Sequence, residues 1–172
     1  NLLPELKSGK TITGSQLQPE ASKILSEEDA REQRINSVMA RARSLVNDID
    51  STVKILYTNI EWVKLIIEQL NIYNSLSGKA NDAKIRELND YWVKDANGAI
   101  KSLNEQLRPL VLNATSRDFV SDIYHPLGST ESDLDRQEAV IKTYRTNAIN
   151  KNDELASFSK DLDARIKIWL QF

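Results

Sequence analysis

The chain has 172 residues, 40% of them hydrophobic and 28% charged, with 23 lysines and arginines against 25 aspartates and glutamates for a net charge of −2. A chain of this size buries an adequate core without staples. Its balanced charge lacks the basic excess of a nucleic-acid binder, and without cysteine it has no disulfide, thiolate metal site or thiol nucleophile. Five glycines and four prolines are too few breakers for the turns of a β-rich or α/β domain. The fold class expected is all-α: an elongated antiparallel bundle of three to four helices, with long helices of coiled-coil type. No run of about 18 uncharged apolar residues occurs, so no transmembrane helix is expected. With Asn1 first and Met39 its only methionine, the chain reads as a processed or excised product.

Residues 1–23 stand apart. Pro4, Gly9, Gly14 and Pro19 fall here among Ser, Thr and Gln without helical or strand period, and predict an extended N-terminal arm. It is either disordered or laid along the helices by Leu2, Leu3, Leu6, Ile12 and Leu17. The remainder, 24–172, reads as one helical domain.

The first helix is predicted over about 26–77. Ser26 is placed to cap it, and Glu27, Glu28 and Asp29 set negative charge at its positive end. Its apolar seam runs Ile35, Val38, Ala42, Leu45, Ile49, Val53, Leu56, Ile60, Val63, Ile67 and Leu70. These are heptad steps of three and four with one extra step of four after Ile49, which reads as a stutter. Gly78 stops it. A helix of about 50 residues is roughly 75 Å long.

A second helix is predicted over 81–112, capped by Asn81 or Asp82, with a continuation to about 124 through Phe119, Val120, Ile123 and Tyr124. Its seam is Ile85, Leu88, Trp92, Ala96, Ala99 or Ile100, Leu103, Leu107 and Leu110, and Gly98 and Pro109 are expected to weaken or kink it. After the break at His125-Pro126-Leu127-Gly128, Thr130 and Asp133 form a capping pair for a third helix over 130–172. Leu134, Ile141, Tyr144, Ala148, Leu155, Phe158, Leu162, Ile166 and Trp169 make its seam. Short connections imply antiparallel neighbours and an up-down-up order, with the arm or the 113–124 segment filling the fourth side.

Chemistry-bearing patterns are sparse. His125 is the single histidine, too few for histidine-based zinc or two-histidine iron sites. Asp118, Asp122 and His125 could share a face and hold a divalent ion, but they read more simply as a solvated helix end. The pairs Asp48/Asp50 and Asp161/Asp163 sit two apart and face different ways. No glycine-rich phosphate loop occurs. The reading is a non-enzymatic protein with no cofactor and no metal.

Between Ile55 and Tyr73 the first helix is apolar beyond its seam. Ile55, Trp62, Ile66 and Tyr73 form a second row, widened by Leu65 and Ile72, so cover is needed on more than one side. Packing by the other helices is the simpler account, and a partner surface the sharper one. At the far end Ile168 and Leu170 lie off the seam and need some other neighbour. These six residues, Ile55, Trp62, Ile66, Tyr73, Ile168 and Leu170, are the candidate partner-binding positions.

The function expected is a protein–protein interaction module, an exported, extracytoplasmic bacterial protein with a host or envelope partner and so a role in virulence. The alternatives are a soluble subunit of an α-helical pore-forming toxin and the sensory bundle of a receptor. Nucleic acid is not expected as a partner. Nothing indicates a membrane contact, and self-association is left open.

Overall fold

The structure, a computed structural model, describes residues 14–121 and 125–172. Helix α1 spans Gly14–Ser77. A second rod, α2, runs over 82–113, and α3 spans Leu127–Leu170. No strand occurs among the described residues, and the protein is an all-α bundle. At 1.5 Å per residue α1 is about 96 Å long.

Helix α1 starts twelve residues ahead of the Ser26 cap and carries Pro19 inside it. A side-chain cap acts only where a helix ends. Residues 20–77 hold no glycine or proline, and extending a helix costs little once it is nucleated. The expected arm is therefore helical from Gly14 onward, and its first thirteen residues lie outside the described ones. From 21 to 31 every residue is exposed. The bundle proper begins at Ile35, where α1 meets α3.

The two long helices run parallel, and α2 returns between their ends. Arg34 pairs with Glu131, Arg41 with Glu138 and Asp48 with Arg145, so one seven-residue step on α1 matches one on α3. This is the flanking-charge pattern of a coiled coil. On α3, Leu127, Leu134, Ile141, Ala148, Leu155 and Leu162 are all buried, again at sevens.

The expected stutter in α1 is absent. Buried positions run 35, 38, 42, 45, 49, 52, 56, 59, 63, 66 and 70, in alternating steps of three and four. Thr52 and Asn59 hold two of these places, each 0% exposed. Ile66 takes the place assigned to Ile67, which is only partly buried. Val53 and Ile60 are buried beside the seam, because both α2 and α3 pack on α1. The Thr52 hydroxyl is satisfied locally, donating to the Asp48 carbonyl at 2.7 Å.

Gly78 (φ 71°) ends α1, its N–H donating to the Asn74 carbonyl at 3.0 Å. Asn81 stands at the start of α2 without capping it, since its side-chain amide meets that of Asn74 at 2.6 Å. Two stretches of α2 are π-helical, Tyr91–Ala96 and Ser102–Leu107. A wider turn explains why Leu88, Ala96, Ile100, Leu103, Leu107 and Val111 all stay buried. Steps of four drift forward around an α-helix, and interposed turns that take more than four residues bring them back. The same widening moves Val111 onto the core and leaves Leu110 52% exposed. Pro109 follows the second π stretch at the head of Arg108–Asn113, where the ladder is already loosened.

The expected continuation is not helical as far as Ser121, and Ile123 and Tyr124 lie outside the described residues. Residues 117–120 are turns, and Arg117 is drawn across to Glu32 while Arg31 donates to the Ser121 carbonyl at 2.6 Å. Val120 and Phe119 close that end of the bundle. Helix α3 begins three residues before its expected cap, because Pro126 (φ −58°, ψ 137°) sets the N-cap backbone. The Thr130 hydroxyl instead donates back to the Pro126 carbonyl at 3.3 Å.

The apolar core is in two blocks. One holds Ile35 to Ile60 of α1 with Leu127 to Ala148 of α3, and the other holds Val63 to Leu70 with Leu88 and Leu155 to Ile166. Tyr91 and Trp92 pack against both.

Candidate functional site

Four of the six candidate positions are drawn inward. Ile66 is 0% exposed and offers no surface. Ile55 is half-buried against the first block, and Trp62 and Tyr73 against the second, to which α2 and α3 both contribute. What remains outside from that band is Leu65 and Ile72. The other two candidates are out in solvent, Ile168 at 56% and Leu170 at 66%. Of the ion-binding triad, Asp122 lies outside the described residues. His125 stacks on Phe119 with ring centroids 4.8 Å apart, its Nε2 3.5 Å from Asp133 Oδ2. Among the described residues no three metal-ligating groups converge.

A groove on the α2–α3 side is not expected from the heptad pattern. Helices α2 and α3 each pack on α1, but their own backbones approach only sparsely. Between them lies a cleft of about 550 Å³ with Tyr91, Lys94, Asp95 and Gly98 on one wall and Tyr144 and Lys151 on the other. It opens at one end into a hollow of about 640 Å³ flanked by Arg86 and Asp90, sharing Tyr91, Asp95 and Lys151. At the other end a hollow of about 430 Å³ shares Tyr144 and Asn147 and reaches Val140. The cleft and the Arg86 hollow make one groove along the α2–α3 side, and the third hollow, lined by α3 residues alone, adjoins it on the α3 surface.

Polar contacts cross this groove at two levels. The Tyr144 hydroxyl donates to Ser102 Oγ at 3.1 Å. Lys151 Nζ lies 4.6 Å from the Tyr91 ring centre and 3.3 Å from Glu154. Behind Tyr91, Asn59 Nδ2 donates to the tyrosine hydroxyl at 3.0 Å and to the Ala148 carbonyl at 3.2 Å, while its Oδ1 has no protein partner. Burial pushes the Tyr91 hydroxyl above the ordinary phenol range, and the hydrogen bond from Asn59 acts against this. Tyr91 is thus neutral at physiological pH, its hydroxyl accepting from Asn59. An added Cβ on Gly98 would meet nothing within 4 Å, so the helix wall is open there.

The groove combines aromatic walls, a few convergent polar groups and an adjoining π-helical stretch, features that favour binding sites. The sequence signal, legible only in hindsight, is the run of steps of four through Leu88, Trp92, Ala96 and Ile100 beside Gly98. No protein-family model, curated protein or solved structure matches the chain.

Proposed function

We propose that the protein is a non-enzymatic interaction module that receives a helix of a partner protein along the α2–α3 groove. The observation that carries this reading is the groove itself, a three-helix arrangement with one side unfilled over the length of several helical turns. A fourth helix laid there would complete a bundle of ordinary form. Tyr91, Tyr144 and Lys151 supply amphipathic contact area, and Gly98 admits close approach of a backbone. The cleft and the Arg86 hollow are lined by no histidine, serine or threonine, which supports binding over catalysis. An exported, extracytoplasmic setting goes with this reading.

The test is Gly98→Phe. The position is exposed and has open space beyond it, so the ring fills the groove without entering the core. A partner captured by the wild-type protein from an extract of the source organism should be lost by Gly98→Phe, with the melting temperature not lowered. Capture that survives the substitution places the binding surface elsewhere.

A further inference from the structure

Helix α2 turns Leu88 into the core, where it is 2% exposed. Residues two before and two after it lie about 200° away around an α-helix, so Arg86 and Asp90 stand on the outward side. With Asp82 and Lys94, one step of four further out each way, they form a stripe of alternating sign. All four side chains are exposed. Among the described residues none of the four sits in an ion pair, while their neighbours are matched. Lys84 holds Glu87 at 3.2 Å, and across the groove Lys151 holds Glu154 at 3.3 Å.

The stripe is its own complement when reversed. A copy of α2 laid antiparallel, with the two Leu88 positions level, sets Arg86 opposite Asp90 of the second copy and Asp82 opposite Lys94 of the second copy. A two-fold axis repeats each pairing. The remaining charges meet no like charge in this register: Lys79 faces Asn97, Lys84 faces Trp92, Glu87 faces Asn89 and Asp95 faces Asn81 of the other copy. Val93, 63% exposed, is covered by the other Ala83. Sliding either way by four residues puts like against like, Arg86 on Arg86 or Asp90 on Asp90, and a parallel pairing in register does so throughout. The pattern therefore specifies both direction and register. The π-helical turn that starts at Tyr91 shortens the climb to Lys94, and the flexible four-carbon lysine stem takes up the difference.

We propose that α2 pairs with α2 of a second copy along Asp82, Arg86, Asp90 and Lys94, forming an antiparallel two-fold dimer. The inference stands apart from the groove reading, which is tested at Gly98.

The contact is one helix face about 18 Å long, so the association is weak and is read by sedimentation of the full chain over a concentration series. The wild-type protein should show a monomer–dimer equilibrium that weakens with added salt. Arg86→Asp alone, or Asp90→Arg alone, sets like charges face to face and should weaken the dimer by about tenfold or more, with the helical circular dichroism unchanged. Two restorations are particular to this register. The double variant Arg86→Asp/Asp90→Arg should dimerise again, and an equimolar mixture of the two single variants should form a heterodimer. Three results would overturn the inference: a monomer at every concentration, a dimer that neither reversal weakens, or reversals that neither the double variant nor the mixture restores.

Discussion

Replacing Ile66 and Ile67 separately by alanine tests the register of α1 directly. Ile66 is fully buried in the second core block, whereas Ile67 is half-buried at its edge. Truncating a buried isoleucine loses three carbons, about 2.4 kcal/mol at 0.8 kcal/mol each. The unfilled cavity raises this to about 3–4 kcal/mol. Partial exposure limits Ile67→Ala to about 1 kcal/mol. For a chain of this size each kcal/mol moves the melting temperature by roughly 2–4 °C. Thermal melts by far-UV circular dichroism should then fall by about 10 °C for Ile66→Ala and about 3 °C for Ile67→Ala. Equal losses, or a larger one at Ile67, would refute the unbroken heptad through Thr52 and Asn59.

Trp62→Ala should cost about 2–3 kcal/mol, because the ring packs against the second block from a half-buried position; an unchanged melt with altered oligomeric mass would move this side chain to an interface. Two glycines should respond to alanine with opposite signs. Gly98→Ala should stabilise by about 0.4–1 kcal/mol, since the helix wall is open there, and Gly78→Ala should destabilise by about 1 kcal/mol through its left-handed backbone alone. Urea midpoints of both variants check this. The Arg117 guanidinium beside Glu32 holds its carboxyl below the usual glutamate range, so the pair stabilises above the unfolded-state value and loses its effect as pH falls through the folded one. Both groups are exposed and the effect is small; the melting difference between wild type and Arg117→Met should shrink below about pH 4.

The all-α class and the three long rods were legible from periodicity and scarce breakers. The α3 seam holds at Leu134, Ile141, Ala148, Leu155, Leu162 and Ile166, but Tyr144 and Phe158 are only partly buried, Ser159 is buried in the place beside Phe158, and Trp169 is exposed. The α1 seam was misread where it turned polar. With Thr52 and Asn59 passed over, their apolar neighbours Val53 and Ile60 took their places and produced a stutter that does not exist. A heptad search counts hydrophobic residues, but burial also admits a threonine that bonds its own helix and an asparagine that bonds across. In α2 the error has another origin. Leu110 was assigned from an α-helical period that two widened turns had already shifted onto Val111. The groove stayed hidden because it arises from how far two rods stand apart, and no local pattern states that distance.

The division of the core at Asn59, Tyr91 and Lys151 has a mechanical consequence. Each apolar block is held by interlocking side chains, whereas the waist between them is bridged by only Tyr91 and Trp92 and a few polar contacts beside a π-helical turn. A force applied at the Phe172 end would be taken up as flexing at the waist, and the Arg34–Glu131 end would move as a rigid stem. Amide hydrogen exchange would read this as two blocks that open independently, with the fastest core amides at the joint.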